Sequence, residues 1–123
     1  MGHGLPGAIG AKLAFPRRQV VALAGDGGFL MTGQELASAV QEQVPVVCLV
    51  INDGSLTAIR ILQDKHYAGR RFAVDLKNPD FAEYARAFGA LGLRVRRPQQ
   101  LAPALRRALR SRRPAVLDLR YTP

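Results

Sequence analysis

The sequence predicts an α/β fold, a mostly parallel sheet with helices on both faces. Residues 19–24 and 46–51 are continuous Val- and Leu-rich runs without the polar alternation of a half-exposed strand, so each reads as a strand buried on both faces. Each run stops abruptly at turn-forming residues, Gly25-Asp26-Gly27-Gly28 after the first and Asn52-Asp53-Gly54 after the second. A helix-length segment separates them, and strands that alternate with helices pair in parallel through right-handed crossovers.

In chain order, residues 5–15 place Ile9, Leu13 and the small Ala8, Ala11 and Ala14 at helical spacing, and Pro16 ends that helix. The strand 19–24 follows and runs into the glycine-rich turn. Thr32-Gly-Gln-Glu35 has the pattern of a capping box, in which a Thr hydroxyl and a Glu carboxylate satisfy free N–H groups at a helix start, here of a helix expected to reach Gln43. Pro45 opens the second strand, 46–51. Residues 55–63 fit neither period, and 64–79, with Gly69, Arg70, Arg71, Asn78 and Pro79, read as irregular surface chain. Asp80 then caps a helix carrying Phe81, Tyr84, Ala85 and Phe88, Gly89 stops it, and Leu91–Val95 supplies a short strand. A last helix over 98–111 leads to a strand at 115–119.

At 123 residues the chain has material for one domain, 1–123, and its 48% hydrophobic and 22% charged residues are those of a packed globular unit. The apolar runs fall far short of the roughly 20 residues of a membrane span, and no signal peptide is expected. The single cysteine, Cys48, lies inside an apolar run and reads as a small core residue, so a reducing, cytoplasmic setting is expected. Net charge is +9 and uneven, with ten arginines against one acid, Asp118, in residues 86–120. Such blocks can neutralise phosphates. Here Arg106, Arg107, Arg110 and Arg113 fall at helical spacing, and no aromatic residue lies between Phe88 and Tyr121 to stack on a base, so a solvated helix face is the reading and nucleic acid is not expected as a partner.

Both buried strands end in the same chemistry. Asp26 follows the first and Asn52-Asp53 the second, and neighbouring parallel strands would bring these ends together, where ligands bind in open α/β sheets. Oxygen side chains with an open main-chain carbonyl suit a hard divalent ion, and Mg²⁺ takes one or two carboxylates together with phosphate oxygens and water. Gly25, Gly27 and Gly28 let the main chain approach a phosphate and turn its N–H groups toward it. Gly2-His-Gly-Leu-Pro-Gly7 also matches the glycine pattern of a dinucleotide fingerprint, with Asp26 downstream, but that motif must follow a strand and only Met1 precedes it. His3 and His66 have no partners at ligand spacing.

Gly25-Asp26-Gly27, then 24 residues, then Asn52-Asp53 resembles the signature of thiamine diphosphate enzymes, a Gly-Asp-Gly triplet and an asparagine pair or its Asn-Asp variant. Met1-Gly-His-Gly-Leu-Pro6 and Ala8-Ile-Gly-Ala-Lys-Leu-Ala14 are similar to the segment that precedes the triplet in acetolactate synthases and related 2-oxo acid decarboxylases. The resemblance implies the carboxy-terminal cofactor-binding domain of such an enzyme, binding Mg²⁺ and the diphosphate of thiamine diphosphate for decarboxylation or carboligation of 2-oxo acids. It implies that Asp26 and Asp53 each give Mg²⁺ a carboxylate oxygen and Ser55 its main-chain carbonyl. Gly25, Gly27, Gly28 and Asn52 would lie along the diphosphate, and the main chain of Met1 and Gly2 would face the aminopyrimidine ring. Asp53 stands where many relatives have a second Asn, and its extra charge is expected to tighten Mg²⁺.

No residue matches the glutamate that relatives supply from a pyrimidine-binding domain: Glu35 is accounted for by the capping box and Glu42 by a helix surface. The resemblance therefore implies no catalytic residue here and no turnover by this chain alone. It implies a truncated version of the fold, lacking its usual first strand and the pyrimidine-binding domain, with that domain or subunit as partner in a homo- or hetero-oligomer. A subunit of a split 2-oxo acid decarboxylase, and a non-catalytic basic binding module on the same fold, are the alternatives.

Overall fold

The computed structural model describes residues 1–121. The chain runs α1 (Gly4–Ala14), β1 (Val21–Gly25), α2 (Asp26–Thr32), a 3₁₀ turn (Gly33–Glu35), α3 (Leu36–Gln41), β2 (Val47–Asn52), α4 (Thr57–His66), α5 (Phe81–Ala87), β3 (Leu91–Val95), a second 3₁₀ turn (Pro98–Gln100), α6 (Leu101–Arg110) and β4 (Ala115–Arg120). The four strands form one parallel sheet in the order β1-β2-β4-β3.

Period-two alternation along the central strands sends side chains to two separate cores. Val46, Cys48 and Val50 join Ala22, Phe29, Leu36, Phe81, Ala85 and Val116 on one face, beneath α1, α2, α3 and α5. Val47, Leu49, Ala115 and Leu117 pack on the other face against Ala108, Leu101, Leu105 and Leu109 of α6. Helices therefore cover both faces, as the sequence predicts. Cys48 is fully buried, and burial pushes its thiol up to about 12.

Four local expectations need correction. The Gly25-Asp26-Gly27-Gly28 segment is not a free turn: α2 begins at Asp26, directly from the strand. Because that helix starts six residues before Thr32, Thr32 falls at its end, where carbonyls rather than N–H groups are unpaired, and the predicted capping box does not form. Thr32 instead donates from Oγ1 to the Gly2 carbonyl at 2.7 Å, and Glu35 accepts from Ser38 Oγ at 3.3 Å. Residues 57–66 are helical, so irregular chain starts at Tyr67 and not at Asp64. Finally, β1 is buried on one face only: α6 covers β2, β3 and β4, and leaves Val21 46% and Leu23 68% exposed.

Among the described residues, no helix is long and apolar enough to cross a membrane.

Candidate functional site

The register Gly25↔Ile51 sets Asp26 beside Asn52 at the carboxyl ends of β1 and β2. The chain then turns at Gly54, whose φ of +71° a side chain rarely adopts. From there Ser55 forms an antiparallel bridge with Asp75. Leu56 N–H donates to the Val74 carbonyl at 2.7 Å and Leu76 N–H to the Gly54 carbonyl at 2.8 Å. This bridge uses the carbonyls of Gly54 and Val74 and not that of Ser55.

Around these ends lies a pocket of about 410 Å³, walled by Met1, Gly2, His3 and Gly4, by Gly25, Asp26, Gly27 and Gly28, and by Asp53, Ser55, Leu56 and Ile59. Apart from Asn52, every residue expected at the site lines it. Met1 and Gly2 form the rim beside α2, held there by the Thr32 hydroxyl. At Gly28 a Cβ would find only the Gly2 nitrogen, 3.9 Å away, so this stretch of main chain is open to close approach.

Asp26 is 2% exposed, and its partners are all neutral N–H donors. Gly27 N–H donates to Oδ1 at 2.8 Å, while Gly54 N–H and Asn78 Nδ2 donate to Oδ2 at 2.9 and 2.6 Å. A carboxylate buried without a positive partner is unfavourable. Asp118, also fully buried, instead accepts from Arg120 Nε at 3.1 Å. Asp53 accepts from Ser55 N–H at 3.1 Å and from Thr57 Oγ1 at 2.5 Å, which ties its carboxylate to the start of α4 and leaves lone pairs on both oxygens.

Asn52 is 5% exposed and its amide is turned away from the pocket. Its Nδ2 donates to Asp118 Oδ1 at 2.8 Å and its Oδ1 accepts from Asn78 Nδ2 at 2.9 Å. Asn78 and Asp118, which sequence reasoning does not single out, thus complete a polar chain from Asp26 into the sheet. Among the described residues, Ser55 Oγ and Asn78 Oδ1 are buried without a hydrogen-bond partner.

An open parallel α/β sheet, with two carboxylates and a glycine-rich helix start facing a pocket at its strand ends, is the architecture of a domain that binds a phosphate-bearing cofactor. Residues 1–119 match the family model described as "Thiamine pyrophosphate enzyme, C-terminal TPP binding domain". The chain is 44% identical over 119 residues to the acetolactate synthase of Bacillus subtilis, covering 97% of this chain and 21% of that protein. It is 37% identical over 124 residues to the probable acetolactate synthase large subunit of Methanocaldococcus jannaschii, with 100% and 21% covered. A thiamine diphosphate-dependent 4-hydroxybenzoylformate decarboxylase of Rhodococcus jostii superposes with a TM-score of 0.93 at 34% identity, over 99% of this chain and 23% of that one. The chain belongs to the family of thiamine pyrophosphate enzyme C-terminal TPP-binding domains, of the kind found in acetolactate synthases and thiamine diphosphate-dependent decarboxylases. It spans about a fifth of the length of the relatives it matches.

Proposed function

We propose that this domain seats thiamine diphosphate through Mg²⁺, as one part of an acetolactate synthase-like enzyme acting on 2-oxo acids. Charge carries the reading. In a chain of net charge +9, the only Asp, Glu, Lys or Arg side chains lining the pocket among the described residues are two carboxylates, Asp26 and Asp53. A diphosphate can enter beside them only with a cation between the anions, and the neutral environment of buried Asp26 leaves it in want of that positive charge. Asp26, Asp53 and the Ser55 carbonyl are hard oxygen donors in the number that Mg²⁺ takes from protein when phosphate oxygens and water complete its shell.

Gly25, Gly27 and Gly28 bring the main chain close to the diphosphate. The Gly27 N–H is already given to Asp26, so the donors left are those further along the first turn of α2. Met1 and Gly2 face the aminopyrimidine ring from the rim beside α2. Asn52 acts at one remove, through Asn78 and Asp118. Thiamine diphosphate, when bound, supplies the carbanion chemistry that decarboxylates or joins 2-oxo acids, and this chain supplies placement and charge. A pyrimidine-binding domain or subunit, in a homo- or hetero-oligomer, completes the site. The exposed Leu23 of β1, which lines the pocket, is consistent with such a neighbour, and the single buried Cys48 with a cytoplasmic setting.

The test is calorimetric titration of the folded chain with thiamine diphosphate, with and without Mg²⁺, beside Asp26→Ala. Binding that requires both Mg²⁺ and Asp26 is expected. A folded wild-type chain that binds none would overturn the reading.

A further inference from the structure

We propose that Asn78 is a positioning residue of the cation site: it occupies one oxygen of Asp26, so that the carboxylate presents the other alone to the metal. The proposal rests on the Mg²⁺ reading above and deepens it. A carboxylate accepts about four hydrogen bonds or metal contacts, two on each oxygen. Oδ2 of Asp26 already holds two donors, Gly54 N–H at 2.9 Å and Asn78 Nδ2 at 2.6 Å. Oδ1 holds one, Gly27 N–H at 2.8 Å, and keeps a lone pair. Gly54 is main chain and cannot be varied without remaking the turn. Asn78 is the side chain that decides how many oxygens Asp26 has to offer.

The orientation of the Asn78 amide is fixed by its surroundings. Asp118 accepts from Asn52 Nδ2 at 2.8 Å and is itself held by Arg120, so the Asn52 amide turns its oxygen outward. Asn78 Nδ2 therefore faces two acceptors, Asp26 Oδ2 and Asn52 Oδ1 at 2.9 Å, and only its NH₂ group satisfies both. The four residues form one chain of donations with a carboxylate at each end. As a result Asn78 Oδ1 is buried with no donor among the described residues. An amide placed for packing alone would not leave its carbonyl stranded, and a stranded buried group at a ligand site calls for an explanation. Here the arrangement keeps Asp26 to one free oxygen.

One-oxygen binding matters for the choice of ion. Mg²⁺ demands a small, near-octahedral shell, whereas Ca²⁺ takes more oxygens and accepts bidentate carboxylates. Freeing Oδ2 would let Asp26 offer both oxygens and would relax the site toward Ca²⁺.

The experiment titrates wild type and Asn78→Ala with Mg²⁺ and, separately, Ca²⁺, at saturating thiamine diphosphate, and reads the ratio of the two affinities. Residues that orient metal ligands are worth on the order of 10-fold in affinity. Asn78→Ala is expected to weaken Mg²⁺ by about that factor and Ca²⁺ by less, so the preference for Mg²⁺ falls. Asn78→Ser, which keeps one of the two donations, is expected to lie between and carries the test where the Ala variant does not fold. Equal weakening of both ions, or an unchanged ratio in a wild type that binds, overturns the role of Asn78 and leaves the cofactor reading standing. A wild type that binds thiamine diphosphate with neither ion overturns that reading, and this proposal with it.

Discussion

Gly27 stands where the pocket wall meets the first turn of α2. A Cβ there would overlap Cδ2 of Leu56 and lie 3.5 Å from Cδ1 of Leu76. Both contacts are the ends of flexible side chains, and Gly→Ala within a helix gains up to about 1 kcal/mol. The cost of crowding and the gain in helix propensity are therefore of similar size, and Gly27→Ala is expected to change stability by less than about 1 kcal/mol in urea melts. Leu56 lines the pocket, and its displacement is expected to lower thiamine diphosphate affinity on the order of 10-fold by calorimetry, a loss of about 1.4 kcal/mol. Loss of stability without loss of binding would contradict this view of the wall. Asp26, Asp53 and the glycines were legible in the sequence because they sit at fixed distances from strand ends, where chemistry and spacing reinforce each other. Asn78 and Asp118 were not. Asn78 meets Asp26 across 52 residues of sequence, Asp118 meets Asn52 across 66, and an Asn before a Pro in a polar stretch reads as a turn residue until the fold closes.

Elements with a buried face announce themselves, and those without one do not. Both central strands and α5 follow the sequence reading because their apolar residues go into one of the two cores. Helix α4 has no buried residue, with Ile59, Ile61 and Leu62 between 41% and 57% exposed, so no stripe marked its period. Its start is tied instead by Asp53 to Thr57. The Thr32 pattern misled for a related reason: four residues can match a capping box wherever they fall, and only the start of α2 at Asp26 shows that no helix begins at Thr32. At α5 the predicted cap is present, with Asp80 accepting from Glu83 N–H at 2.9 Å and from Arg94 Nε at 2.5 Å. Partial burial pushes the Asp80 carboxyl up, but the Glu83 N–H, the Arg94 guanidinium and the nearby charge of Arg120 together hold it below the ordinary carboxylate value. A group lowered in this way stabilises the fold above its unfolded value of about 3.9, and the contribution fades as pH falls through the folded value. Asp80→Ala is therefore expected to cost about 1 kcal/mol at pH 6, and the gap to wild type should narrow by pH 3 in parallel urea melts. A gap that widens on acidification would show that the carboxylate is not held as described. Helix α5 also lies so close to β3 that a Cβ at Gly92 would overlap the Ala82 carbonyl oxygen, with the Ala82 carbonyl carbon at 2.7 Å. Backbone cannot yield as a side-chain tip can, so Gly92→Ala is expected to lose about 3 kcal/mol and to lower the thermal midpoint. A melt within 1 °C of wild type would mean that α5 can slide on the sheet.

Across the whole molecule the sheet keeps two charged regions apart. The acidic pocket lies at the carboxyl ends of β1 and β2. A second concavity, between Leu91, Pro103 and the side chains of Arg106, Arg107, Arg110 and Arg113, lies at the opposite end, where β3 and β4 begin. The strands between are five or six residues long, roughly 17–20 Å at about 3.3 Å per residue. Charges in solution are screened over about 8 Å at physiological salt, so the two ends act almost independently. This independence separates the cofactor reading from the alternative of a basic binding module. Replacing Arg106, Arg107 and Arg110 with Gln removes three positive charges from α6, none of which is in an ion pair among the described residues. The triple variant is expected to leave heparin at distinctly lower salt than wild type, while its Mg²⁺-dependent affinity for thiamine diphosphate stays within two-fold. On the proposed reading the metal carries the diphosphate, and the arginines contribute only to the long-range field. If the triple variant instead loses cofactor binding ten-fold or more at 0.15 M salt, the diphosphate is held by the basic end of the sheet, and the site assigned to Asp26 and Asp53 is wrong.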